Sequence, residues 1–286
     1  MSNDAFICKN GESLRYPVLL SAPHAGRGYP QPLLSNSRIS ALELMRLEDR
    51  YVDLLLRGVE QAGFTTMTAQ RARAWIDLNR GEDDLDRGML CDIPDDAVFT
   101  VSSKQRGGLG LIPCRLQPVG EIWKKPFRYQ DVQDRIAGDH RPYHAAVSQL
   151  LERMQAQFGG AILLDIHSMP PITHFSGERR PDFVVGDRFG GSAASRFAEM
   201  LQAQLVAGDF HCGLNHPYAG DYILRRHGAP QKNIHALQLE TCRSLYLDGN
   251  LREPSDDLAK IQGVIGEAAH LMADAIGDDG ILLAAE

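Results

Sequence analysis

The chain has 286 residues, 43% hydrophobic and 23% charged, with a formal net charge of −7. That is globular composition with length for a large core, without the run of about 18 apolar residues that a membrane span needs. The acidic balance, with basic residues only in short clusters such as Arg225 and Arg226, argues against a nucleic-acid surface.

Along the chain, the first segment lacks a basic region followed by an apolar run and does not read as a signal peptide. Residues 17–21 form a short apolar run that stops at Ala22-Pro23-His24-Ala25-Gly26, a strand ending in a small-residue loop. Residues 40–63 carry apolar positions at helical spacing and predict one or two helices, with Gly63 as the stop. Residues 65–69 and 74–78 read as strands, and residues 81–96 as an acidic loop. Residues 98–101 suggest a further strand, and Gly107 to Gly110 is too rich in glycine for a regular element.

Residues 144–158 form an amphipathic helix ending at Gly159-Gly160, and residues 161–166 follow as the clearest buried strand. A shorter strand at 183–186, a helix at 192–206, a strand at 235–240 and a helix at 256–276 complete the series. Strands alternating with helices indicate an α/β protein. With no repeat, linker or break in composition, one domain over residues 1–286 is expected. Cys8, Cys91, Cys114, Cys212 and Cys242 are odd in number and contain no CxxC pair. That pattern opposes a disulfide framework and a Cys-rich zinc knuckle, and suits a cytoplasmic setting.

His24, Asn79 with Arg80, His167 and Glu240 each fall at the end of a predicted strand. Ligands of open α/β sheets bind at the carboxyl ends of strands, so these segments are expected to converge. Asp165 precedes His167 by one strand period and is placed to accept the second imidazole N–H, as around metal-bound histidines. His24 supplies a second imidazole, and a catalytic zinc usually takes three protein ligands. Glu48 and Asp49 both offer the third; neighbours on a helix diverge, so only one faces the metal, and Asp49 is favoured.

Arg80 and Asn79 suit the gripping of a substrate carboxylate. Glu240 suits proton transfer to and from a metal-activated water. Arg115, His144 and Tyr218 are further candidates for contact with substrate. Among other signatures, the G-x-S-x-G elbow, the Walker loop, the dinucleotide fingerprint and H-E-x-x-H are all absent.

Taken in order, the motifs Ser21-Ala22-Pro23-His24-Ala25-Gly26, Glu48-Asp49-Arg50-Tyr51-Val52-Asp53, Asp77-Leu78-Asn79-Arg80, Gly108-Leu109-Gly110-Leu111-Ile112-Pro113, Arg141-Pro142-Tyr143-His144, Asp165 to Pro170, His216-Pro217-Tyr218-Ala219-Gly220 and Gln238-Leu239-Glu240 resemble the N-formylglutamate amidohydrolase (deformylase) family. That family is similar in turn to zinc carboxypeptidases and aspartoacylases. The resemblance implies a three-layer α/β/α fold with a mixed central sheet, zinc-carboxypeptidase-like in the phosphorylase/hydrolase manner, and one zinc ion. It places His24, Asp49 and His167 at the ligand positions, Glu240 at the catalytic carboxylate, and Asn79 and Arg80 at the substrate carboxylate. Arg115 would be a second clamp for a dicarboxylate.

The implied reaction is release of formate from N-formyl-L-glutamate, as at the end of a histidine-degradation route. The alternatives are a related zinc hydrolase of another N-acyl amino acid or small peptide, and a binding protein that kept the fold without catalysis. The chain departs from the family pattern at Asp221, where a glycine is usual, and at Thr241-Cys242 before Arg243.

Overall fold

A computed structural model describes residues 2–3, 5–172 and 180–283. Its main sheet comprises β1 (Ser2–Asn3), β2 (Phe6–Lys9), β3 (Val18–Ala22), β4 (Thr65–Ala69), β5 (Ala161–Met169), β6 (Phe183–Gly186), β7 (Cys212–Leu214) and β8 (Ile234–Cys242). Their spatial order is β1-β2-β4-β3-β5-β8-β6-β7. The centre, β4-β3-β5-β8, is parallel, while β2 and β6 run antiparallel to their inner neighbours. The sheet is therefore mixed, as the family resemblance implies.

Strand residues alternate between two cores because successive side chains leave opposite faces. Val18, Leu20, Ile162, Leu164, Leu237 and Leu239 enter one core. Leu19, Met67, Leu163 and Ala236 enter the other. Both faces are covered, so the central strands read as continuous apolar runs.

The first core is closed by helices α2 (Ser195–Ala207) and α4 (Leu258–Leu283), with short helices at Val52–Leu55 and Arg57–Ala62. The second is closed by α1 (Arg141–Phe158), through Val147, Leu150, Leu151 and Met154. Each such apolar side chain contributes about 1.5–3 kcal/mol on full burial. A short helix α3 (Tyr222–His227) also reaches this side through Ile223 and Leu224. Helix–sheet–helix layering follows. All five cysteines are free.

Between β3 and β5 the connections turn in opposite directions, toward β4 on one side and toward β8 on the other. That is a topological switch point, where the carboxyl ends of strands leave a crevice. On the face of the second core, the apolar pattern gives way to polar residues near these ends. Register puts Ser21 and Gln238 on either side of Asp165, and Glu240 beside His167.

Three predicted elements differ. Residues 74–78 are not a strand, although Ala74, Ile76 and Leu78 alternate into the core. Their backbone bonds are made with a neighbouring loop and locally, Asp77 N to Leu111 O at 2.8 Å and Trp75 N to Ala72 O at 2.8 Å. Residues 98–101 form no strand; Val98 and Val101 are 75% and 59% exposed. Residues 40–63 form short helical pieces rather than one or two helices, with a break at residues 48–51.

Candidate metal centre and cavity

The break at residues 48–51 decides which carboxylate reaches the crevice. Glu48 is extended, and Tyr51 takes a left-handed backbone with φ of 59°. That conformation is disfavoured for a residue with a bulky side chain. It is held here by the Tyr51 hydroxyl on Glu253 at 2.8 Å and by guanidinium groups of Arg27 and Arg50 over the ring. The Asp49 amide donates to His24 O at 3.0 Å, joining this turn to the end of β3. Asp49 faces the crevice, whereas Glu48 turns to the Tyr29 hydroxyl and to Arg50 Nη1. Only Asp49 of the pair lines the crevice, and an extended break rather than divergence on one helix separates the two side chains.

His24, Asp49 and His167 are buried, and they offer ligand atoms that all lie within 4.8 Å of one another. His167 Nδ1 lies 2.9 Å from Asp49 Oδ2, and His24 Nδ1 lies 3.4 Å from the same oxygen. The far nitrogens face two other carboxylates. His24 Nε2 donates to Asp77 Oδ1 at 2.7 Å, and His167 Nε2 donates to Asp165 Oδ2 at 2.8 Å. Proton donation on the far side leaves each Nδ1 as the ligating lone pair. Two imidazoles and a carboxylate, each imidazole backed by a further carboxylate, are a donor set suited to a divalent cation.

The electrostatics agree. Burial alone would raise the Asp49 carboxyl, yet hydrogen bonds from His167 and His24 hold it well below the usual range. Burial would lower His167, but Asp165 and Asp49 hold it well above its ordinary value. The cluster thus favours positive charge, which a bound cation would supply in place of a proton.

A cavity of about 400 Å³ opens over the cluster, lined among others by Asn79, Arg80, Tyr218, Asp221 and Glu240. The Glu240 carboxyl is pushed up to about 7, chiefly by burial, with Asp49 adding to the rise while His167 and Arg243 oppose it. Gln238 Nε2 donates to its Oε1 at 3.2 Å. Asn79 accepts the Ile223 amide on Oδ1 at 2.9 Å, which leaves its Nδ2 donors for the cavity.

Arg80 and Asn79 are buried as well as cavity-lining. Two buried histidines hold the backbone on either side of Asn79. His144 Nε2 donates to Leu78 O at 2.9 Å, and His140 Nε2 donates to Arg80 O at 2.8 Å.

Of the predicted site residues, His24, Asp49, Asn79, Arg80, His167, Tyr218 and Glu240 line this one cavity. Arg115 and His144 do not. Arg115 sits on a small exposed hairpin and pairs with Glu121 at 3.0 Å. His144 is fully buried, with both ring nitrogens engaged behind the cavity wall.

Sequence reasoning missed Arg73 and gave Asp77 no role of its own. Arg73 lines the cavity, and its Nε donates to Asp77 Oδ2 at 2.8 Å. Asp77 stands two residues before Asn79, a spacing that Asp165 repeats before His167. Arg243 engages Asp49 Oδ1 at 3.2 Å and Ser168 Oγ at 3.0 Å. A larger concavity of about 840 Å³ lies near Arg27 and Lys9. These two charges are already paired, Arg27 with Asp53 and Lys9 with Glu60.

A sequence model of the N-formylglutamate amidohydrolase family matches residues 16–247. The chain belongs to that family. N-formylglutamate deformylase of Pseudomonas putida is 32% identical over 238 residues, covering 82% of this chain and 83% of the relative. N-formylglutamate deformylase of Pseudomonas aeruginosa is 28% identical over 239 residues, with the same shares of 82% and 83%. The crystal structure of an N-formylglutamate amidohydrolase from Ralstonia eutropha superposes with a TM-score of 0.87 at 28% identity. It spans 96% of this chain and 98% of its own. The mixed sheet and the crevice at β3 and β5 are thus those of a family member. Among the described residues, no helix is long and apolar enough to cross a membrane.

Proposed function

We propose that this chain hydrolyses N-formyl-L-glutamate to formate and L-glutamate, with one zinc ion held by His24, Asp49 and His167. The observation that carries the reading is the convergence of these three residues, from separate segments, beside Glu240 in one cavity. The donor set is the oxygen-and-imidazole type that catalytic zinc uses. When bound, the metal supplies Lewis-acid polarisation of the formyl carbonyl and lowers the pKa of water to about 7.

The remaining work falls to the chain. Asn79 Nδ2 and Arg80 hold a carboxylate of the substrate, which fixes the formyl carbon against the metal site. Glu240 accepts a proton from the attacking water and delivers it to the leaving nitrogen as the C–N bond breaks. Its raised pKa suits both halves of that transfer, since the group must take a proton and release it near neutral pH. Water oxygen ends in formate, and the amine leaves with the proton. Arg73, half-buried beside Asp77, adds positive charge to the wall near Glu240.

The test is a panel of N-formyl amino acids, N-acetylaspartate and short peptides, assayed with zinc and with chelator. N-formyl-L-glutamate should give the highest kcat/KM, and chelation should abolish turnover until zinc is restored. Preference for an acetylated acid or a peptide would move the chain to a related zinc hydrolase. Purified protein without metal affinity would favour a binding protein on the same fold.

A further inference from the structure

Arg80, assigned above to the substrate carboxylate, already holds a carboxylate of the chain. Asp221 Oδ2 lies 3.0 Å from Arg80 Nη1. The Arg80 side chain is 5% exposed and that of Asp221 is 40% exposed, so the pair joins a buried cation to an anion at the cavity mouth. The other partners of the guanidinium are neutral: Nε donates to Leu109 O at 2.9 Å and Nη1 also donates to Asn79 O. Asp77 comes no nearer than 3.9 Å to Nε. A strong arginine–carboxylate grip is bidentate, through two neighbouring N–H groups. With Nε on Leu109 and Nη1 on Asn79 and Asp221, only Nη2 remains for an incoming carboxylate.

Asp221 has no structural duty that explains this placement. It precedes α3 at the N-cap position, but its side chain makes no capping bond there. It follows Gly220, whose φ of 96° lets the loop turn into the cavity. Gly220 and Asp221 both line that cavity.

We propose that Asp221 is an internal stand-in for the substrate carboxylate, which must displace it to be gripped by Arg80. The exchange replaces one carboxylate with another, so the buried guanidinium stays paired throughout. The displaced Asp221 swings toward water, where its half-exposed carboxylate regains hydration. A ligand without a carboxylate cannot make the exchange and leaves the clamp closed. Asp221 thereby selects for anionic substrates while weakening their apparent affinity, because only the open fraction of the clamp binds. This inference rests on Arg80 being the substrate clamp.

The experiment compares the zinc-loaded wild type with Asp221→Asn and Asp221→Gly. It reads kcat and KM for N-formyl-L-glutamate, and glutarate binding by calorimetry. KM and the glutarate Kd are expected to fall by about threefold to tenfold in both variants, with kcat changing less than KM, because the competing carboxylate is gone. Two variants guard against one that fails to fold, and zinc content with circular dichroism checks each. A rise in KM and Kd in the folded variants would mean that Asp221 orients Arg80, which overturns the proposal. Unchanged values overturn it as well. If the wild type hydrolyses no N-formyl acid, the functional reading fails, while tighter glutarate binding by the variants still upholds the displacement.

Discussion

Asp77 accepts the Nε2–H of His24 at 2.7 Å and thereby turns Nδ1 of that ring to the side of the cluster where Asp49 lies. The same carboxylate accepts the Asn79 amide at 2.8 Å and Arg73 Nε at 2.8 Å. One side chain thus ties a candidate metal ligand to the candidate substrate clamp. Asp77→Asn should lower zinc affinity by about 10–100-fold, the usual effect of losing a carboxylate behind a ligating histidine. Competition against a chromogenic chelator measures it. Wild-type affinity in the variant would show that His24 needs no such orientation.

Glu240→Gln should lower kcat by about 10²–10⁴-fold while leaving zinc content intact, since it removes proton transfer and not a ligand. Glu240 also sets a sign for the pH profile. The base works as a carboxylate, so activity falls as pH drops through its pKa. Burial raises that pKa to about 7 in the metal-free chain, and a nearby cation favours the ionised form and moves it lower. The acidic limb of kcat/KM should therefore lie below 7. A limb of unchanged position in residual Glu240→Gln activity would assign it to another group.

His24 also depends on a glycine. The loop after β3 is laid against residues 70–72, with Gly28 N on Gln70 O at 2.8 Å and Ala72 N on Gly28 O at 2.9 Å. A Cβ added at Gly26 would stand 2.0 Å from the Arg71 carbonyl oxygen, so one backbone must move. Gly26→Ala should cost about 1–3 kcal/mol of stability, as overpacking does, and should weaken zinc binding by shifting His24. Urea unfolding and the chelator competition report the two effects. An unaltered midpoint would mean that the two loops part freely.

The centre was legible where it obeyed a period. Asp165 and His167 are two apart on a buried strand, so they share a face whatever the rest of the chain does. The polar positions His24, His167 and Glu240 were legible because apolar runs stop near them, although β5 and β8 continue past them to Met169 and Cys242. The Asp77–Arg80 segment was placed at a strand end for the wrong reason, since apolar alternation at residues 74–78 reports burial without a ladder. The choice between Glu48 and Asp49 rests on a left-handed residue at Tyr51, stabilised by Glu253 some two hundred positions away. No local pattern carries that. His144 was a candidate for contact with substrate; its partners, Leu78 O and His227, are long-range contacts that its own segment does not announce. Arg115 is an exposed charge with a neighbour across a turn, the ordinary outcome for a surface arginine.

Behind the cavity wall, the tautomers of two rings are fixed in series. His144 Nε2 donates to Leu78 O, so its neutral ring accepts at Nδ1, where His227 Nε2 donates at 2.9 Å. His227 Nδ1 then accepts from Ser148 Oγ at 3.3 Å. Both rings must be neutral for this chain of bonds to close. Burial, followed by Arg226 and His140, lowers His227 from 6.5 to about 3; burial with His140 and His227 lowers His144 well below its usual value. An unfolded histidine binds a proton below about 6.5, whereas folded His227 does not until about 3.

The unfolded chain therefore binds more protons in that window, and stability falls as pH falls through it. His227→Gln retains an amide donor toward His144 but cannot titrate. Between pH 7.5 and 5.5 it should lose less stability than the wild type, by about 1 kcal/mol, given the limit of about 1.4 kcal/mol per pH unit for one proton. Urea denaturation at the two pH values tests this, since every group outside this chain of bonds is common to both proteins and cancels in the difference. Equal losses in the two proteins would remove His227 from the acid response.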